Sequence, residues 1–83
     1  EVFPNPFYDC LYIYFHSSKT NKVNLQISNV NGQIVYSGEN TERSPGYILF
    51  SIKGLTNLSQ GIYFLNMTSN GIAAQKKIIK LRK

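Results

Sequence analysis

His16 is the single histidine of the chain and Asp9 its single aspartate, so base-assisted nucleophilic chemistry would have to run through these two side chains. They lie an odd number of residues apart with a strand-forming run between them, and a period of two sends such residues to opposite faces. His16 therefore reads as a strand-end histidine facing water. Glycoside hydrolysis needs two carboxyls held across a cleft. The candidates are Glu1, Asp9, Glu39 and Glu42, and Glu39 and Glu42 share one loop, a poor platform for a fixed spacing. A metal centre would need a His or Cys pair or a denser set of carboxylates. Gly32, Gly38, Gly46, Gly54, Gly61 and Gly71 are all isolated, which excludes a glycine-rich phosphate loop. The sequence predicts no catalytic residue, no metal and no cofactor.

Cys10 is the only cysteine; it rules out an internal disulfide and reads as a small buried hydrophobe, the commoner case, or as a free thiol able to link two chains. The net charge is +5, and Lys76, Lys77, Lys80, Arg82 and Lys83 supply five of the nine basic residues. A basic terminus of this kind suits a solvated edge strand, where lysine discourages sheet-to-sheet pairing. Together with Tyr12, Tyr14 and Phe15 it carries the ingredients of nucleic-acid binding. Aromatics within strands more commonly pack a core, and no nucleic-acid partner is expected. Asn57-Leu58-Ser59 and Asn66-Met67-Thr68 match the N-glycosylation triplet, a pattern that chance supplies in an Asn-rich chain.

The elements that must position these residues are strands. Leu11 to Phe15 is aromatic and branched, and Val23 to Ser28 alternates apolar and polar at every step. Asn31-Gly32 predicts a hairpin turn into Gln33 to Ser37. Residues Gly38 to Gly46 read as a loop, Tyr47 to Ile52 as a strand, and Lys53 to Gly61 as a surface crossing whose Leu55 and Leu58 plug an open end of the core. Ile62 to Thr68 is a further strand, closed by a second turn at Asn70-Gly71 and followed by a last strand to Leu81. That makes six strands, with Phe3 to Asp9 a candidate seventh at an edge, and no α-helix. With 83 residues and 42% hydrophobic content, the chain fits one domain, residues 1–83, folded as an all-β antiparallel sandwich. Residues 1–7 form a stiff, extended lead-in. No apolar run reaches the ~20 residues of a membrane span, no signal peptide is present, and the start at Glu1 without a methionine reads as an excerpt of a longer polypeptide.

Pro4-Asn5-Pro6, flanked by Phe3 and Phe7, fixes φ at two positions and keeps Asn5 out of the helical region. With the alternating strand Val23 to Ile27, Gly32 and Val35, then Leu58, Gly61, Ile62 and Tyr63, then Lys77-Ile78-Ile79-Lys80, this opening resembles the type IX secretion system C-terminal sorting domain of Bacteroidetes. The four motifs run in the family's order from Phe3 to Leu81. Asn29-Val30-Asn31-Gly32 departs from the family's frequent Asp-Leu-Ser-Gly, and Phe3 stands where Tyr is frequent; both departures keep the turn and aromatic chemistry.

The resemblance implies a seven-strand immunoglobulin-like sandwich, not an enzyme. It would follow an upstream cargo domain in the same polypeptide into the periplasm and on to the outer membrane, cell surface or medium. It also implies a type IX translocon as partner, including a sortase-like cysteine protease that removes the domain. Lys77, Ile78, Ile79, Lys80 and Leu81 are the expected translocon-recognition residues, and Pro4, Asn5, Pro6, Gly32, Leu58, Gly61 and Tyr63 the motif residues that keep the fold. Ile78 and Ile79 point to opposite faces, so one anchors the strand while the other, with Lys77 or Lys80, meets a receptor. A receptor strand pairing with this edge is a second expected mode, and self-association through edge strands a third. The bland reading is that Lys77 to Leu81 merely completes the sheet. The rival functions are a carbohydrate-binding or adhesive β-sandwich module of a secreted enzyme, and a fibronectin-like spacer.

Overall fold

The computed structural model describes residues 1–17, 21–38, 41–43, 45–69 and 71–81. Glu39, Asn70, Arg82 and Lys83 lie outside the described residues, as does the side chain of Glu42. Among the described residues eight strands form: β1 (Val2–Phe3), β2 (Leu11–Ser17), β3 (Asn21–Asn29), β4 (Ile34–Ser37), β5 (Thr41–Arg43), β6 (Gly46–Ile52), β7 (Gly61–Ser69) and β8 (Ile72–Lys80). One sheet has the order β1-β2-β6, the other β4-β3-β7-β8 with β5 also on β3. These neighbours are those of an immunoglobulin-like sandwich, and every strand pair is antiparallel.

Alternation decides which side chains meet between the sheets. Leu11 and Ile13 of β2 and Ile48, Phe50 and Ile52 of β6 face Val23, Leu25 and Ile27 of β3, Tyr63 and Leu65 of β7, and Ile78 of β8. Each such burial contributes roughly 1.5 to 3 kcal/mol before the opposing loss of chain entropy. Phe7 joins them with no exposed surface, and Leu55, in a single 3-10 turn (Leu55–Asn57), closes the core end, with half-buried Leu58 packed against it. The expectation for the two leucines holds, and the 3-10 turn is the one helical element among the described residues.

The loop expected over Gly38 to Gly46 is corrected in part, because Thr41–Arg43 is a strand paired with Asn21, Lys22 and Val23. β4 pairs only with the far half of β3, from Gln26 to Ser28. Without β5 the near half would present unpaired backbone groups at that edge, a costly arrangement next to a core. The hairpin predicted at Asn31-Gly32 exists, but over three residues, Val30 to Gly32, closed by the Asn29 N–H on the Gln33 carbonyl at 2.9 Å. Gly32 holds φ at +83°, a conformation that glycine adopts without penalty. Asn29 ties the loop with its side chain, its Oδ1 accepting the N–H groups of Asn31 and Gln33.

Candidate functional site

The last strand is finished by the first residues of the chain. After β1 the backbone bends at Pro4, Asn5 and Pro6 and crosses from the β1 edge of one sheet to the β8 edge of the other. Prolines carry no N–H and cannot donate to a ladder. The Asn5 side chain takes over that pairing: its Nδ2 donates to the Lys77 carbonyl at 3.2 Å, and its Oδ1 accepts the Ile79 N–H at 3.0 Å. Phe7 then continues with its backbone, its N–H donating to the Ile79 carbonyl and its carbonyl accepting the Leu81 N–H, both at 2.8 Å. The bridge to β8 is parallel, and the Phe7 ring is driven into the core. Four hydrogen bonds thus seal the edge of β8 from Lys77 to Leu81.

This seal corrects one expectation. A receptor strand adding to the edge at Lys77 to Leu81 would have to displace Asn5 and Phe7, which already bond the Lys77 carbonyl, the Ile79 N–H and carbonyl and the Leu81 N–H.

Period two sorts the side chains. Ile78 and Lys80 point inward and are 0% and 1% exposed, whereas Lys77 is exposed and Ile79 is 39% exposed. The inward position of Lys80 corrects the expectation that its charge is offered outward. Its stem lies beside Ile78 in the interior, and its Nζ donates to the Leu81 carbonyl at 2.8 Å, the kind of partner a buried ammonium requires. Leu81 itself is half-buried.

Lys77 and Ile79 do not stand alone. The β7–β8 register sets Ile79 opposite Ile62 and Lys77 opposite Phe64. Ile62 is 42% exposed and Phe64 half-buried, so four residues form an apolar patch with one cation on the outer face. Ile62 and Phe64 were missed as partners of the terminal motif. The signal was present, since a turn centred on Asn70-Gly71 makes paired residue numbers sum to a constant, and 62 with 79 and 64 with 77 satisfy it. Further along, Asn66 bridges Ser28 and Gln75 by side-chain hydrogen bonds of 3.2 and 2.8 Å, making that part of the face polar.

The other motif residues support the fold. Tyr63 sits at the start of β7 and donates its phenol to the Ser59 carbonyl at 2.8 Å, the tyrosine corner of immunoglobulin-like sandwiches. Gly61, two residues before it, holds φ at +148°, where a side chain would be strained. Leu58 starts this corner by donating its N–H to the Leu55 carbonyl.

The outer face of the β1-β2-β6 sheet carries exposed rings. Tyr14 and Tyr47 stack in parallel at 5.5 Å, His16 meets Tyr47 edge-on at 4.9 Å, and Phe3 lies 5.7 Å from Tyr12. His16 is therefore one member of an aromatic ladder. Cys10 is half-buried rather than buried; its hydrogen bond with the Tyr12 phenol is the main cause that raises that phenol above its ordinary pKa. Among the described residues no group of three or more His, Cys, Asp or Glu could hold a metal ion.

The sequence that builds this arrangement has a counterpart among known families. The profile of one family, described as "Secretion system C-terminal sorting domain", matches residues 1–81. No curated protein and no solved structure matches the chain.

Proposed function

Because the chain belongs to the secretion system C-terminal sorting domain family, we propose that the type IX machinery reads it as a folded surface rather than as a linear tail. The family is one of sorting signals for type IX secretion, not of enzymes, and such a signal directs an upstream cargo to the cell surface or beyond. The observation that carries the proposal is the seal of β8 by Asn5 and Phe7. With the backbone of Lys77 to Leu81 engaged and Ile78 and Lys80 buried, the part of the terminal motif open to a receptor is the side chains of Lys77 and Ile79, flanked by Ile62 and Phe64. An apolar patch with a cation at its edge suits a receptor surface that pairs a hydrophobic contact with an acidic group.

In this reading Ile78, Lys80 and Leu81 hold the strand in place, while Pro4, Asn5, Pro6, Gly32, Leu58, Gly61 and Tyr63 keep the presenting surface folded. The cargo passes through the periplasm, the outer-membrane translocon takes up the domain, and a sortase-like cysteine protease of that translocon removes it. The domain is that protease's substrate.

The test is a fusion of the chain to the C-terminus of a signal-peptide-bearing fluorescent protein, in a bacterium with an intact type IX system. Fluorescence on the surface or in the medium that is lost in a translocon mutant is the expected result. Fluorescence held in the periplasm of both strains would overturn the proposal.

A further inference from the structure

One row of side chains crosses the outer face of the larger sheet from β4 to β8. Ile34 stands opposite Ser28, Ser28 opposite Phe64, and Phe64 opposite Lys77. At the usual spacing of neighbouring strands, three such steps put Ile34 ~14 Å from Lys77. A second row lies toward the β3–β4 turn. There Ile62 faces Ile79, and Val30, one residue past the Asn29–Tyr63 pair, comes up beside Ile62. Ile34 is 56% exposed and Val30 66%, so the apolar patch around Ile79 runs on to the hairpin. Lys77 is the one charged residue in the two rows.

Ile34 is on this face because β4 is irregular. Tyr36 pairs with Ile27 and packs against the core, and period two would turn Ile34 inward with it. Instead the register shifts between Ile27 and Ser28, which sets Ile34 rather than Val35 opposite Ser28 and turns its side chain out. Bulges re-aim side chains in this way and are over-represented beside working sites. The shift forgoes the burial of an isoleucine, a loss to the core that a purely structural strand has no reason to take. The turn beyond it is held firmly. Asn29 accepts the N–H groups of Asn31 and Gln33 on Oδ1 and donates from Nδ2 to the Gln33 side chain at 3.0 Å.

The geometry points to a single docking surface that runs from Lys77 and Ile79 across the sheet to Ile34 and Val30, with the hairpin residues deciding which partner fits. Given the sorting-domain reading, on which this assignment rests, the occupant is a component of the type IX machinery. Its chemistry follows from the rows. It carries an apolar contact for Ile34 and Val30 and, ~14 Å away, a carboxylate for Lys77. A polar contact at the middle of the row would gain little, because Ser28 is 9% exposed and its hydroxyl already accepts from Asn66. A second copy of the chain fits poorly. Seated face to face it would bring another Lys77 and, from these rows, no carboxylate to meet the first.

The fluorescent fusion tests this with five variants: Ile34→Ser, Val30→Ser, Ile34→Leu, Ile79→Ala and, on the polar half of the same face, Thr68→Ala. Export and the melting temperature of the fused domain are measured for each. Ile34→Ser and Val30→Ser should each cut fluorescence on the surface and in the medium by roughly fivefold or more, as loss of an interface contact does, with melting close to that of the parent. Ile34→Leu and Thr68→Ala should be exported normally. Full export of both serine variants beside a loss in Ile79→Ala overturns the extension to the hairpin and leaves the sorting surface standing. Full export of all three sinks the sorting surface itself. A loss of export that follows a fall in melting temperature overturns the proposal, because the hairpin then serves only the fold. Dimerisation that grows with concentration and is abolished by Ile34→Ser also overturns it, since a second copy would then own the surface.

Discussion

Asn5 holds Ile79 across 74 residues of chain, accepting its N–H on Oδ1 while donating from Nδ2 to the carbonyl of Lys77. One amide side chain thereby pairs with two successive outward groups of β8, as a strand residue would, from a segment whose flanking prolines cannot donate.

Replacing Asn5 by Leu removes both bonds. At ~0.5 to 1.5 kcal/mol each, and with Asn5 exposed, the domain should lose about 1 to 2 kcal/mol in urea unfolding. Amide exchange at Ile79 should speed up about tenfold, while that at Ile27 changes only by the global loss. Asn5→Asp keeps the acceptor for Ile79 and loses the donor for Lys77, so it should fall between. An unchanged unfolding midpoint in Asn5→Leu would mean that Phe7 alone seals the edge.

The two lysines of the terminal motif should separate cleanly. Lys77→Glu, on the surface, is expected to cut export of a fused cargo while moving the melting temperature by no more than the shift of a surface change, about 0.5 kcal/mol. Lys80→Ala removes a buried stem and a bonded ammonium and should cost ~1 to 3 kcal/mol, visible as a lower melting temperature. If Lys77→Glu is exported normally, the cation is not part of what the translocon reads.

The adjacent isoleucines make a sharper pair. Ile78→Ala empties a fully buried site and should cost ~2 to 5 kcal/mol, enough to unfold much of a small domain. Ile79→Ala, on the outer patch, should cost well under that and still reduce export. Full export of Ile79→Ala in a folded domain would return the terminal motif to a purely structural role.

Tyr63→Phe deletes the hydroxyl that donates to the Ser59 carbonyl and leaves the ring in the core. A loss of about 1 kcal/mol is expected, with export intact where the domain remains folded. Export lost at unchanged stability would instead give the corner a direct part in recognition.

The aromatic face decides the rival function. A carbohydrate-binding module presents ring faces to a sugar; here the rings pack on one another, Tyr47 against Tyr14 and His16, although Tyr47 stays 74% exposed. No retention on a polysaccharide affinity gel is expected. Retention abolished by Tyr47→Ala would restore the carbohydrate-binding reading.

The strands were legible because their apolar residues alternate, and alternation put Ile78 and Ile79 on opposite faces; that Ile78 is the inward one comes from the packing. Gly32 was legible because the turn demands positive φ there. The burial of Lys80 was not, since composition alone sends lysine to water, and only the packing of Phe7 and the Leu81 carbonyl makes an interior place for it. β5 was hidden by its loop-like flanks; its pairing answers an unmet need of β3 rather than a preference of Thr41, Glu42 and Arg43. The meeting of Asn5 with β8 was out of reach for a similar reason. Local rules describe the stiffness of Pro4-Asn5-Pro6, but not the remote strand whose outward groups that stiffness serves.

Phe7 and Leu81 are bonded neighbours at opposite ends of the described chain. A polypeptide made from its amino terminus gains Asn5 a full 74 residues before Ile79, so Asn5 and Phe7 wait for their partners while the strands between are made. A cargo broken off, stalled or clipped before Ile79 lacks the groups that Asn5 and Phe7 hold. The seal is thus a receipt for synthesis through Leu81, closed only on molecules that hold both Phe7 and the last strand.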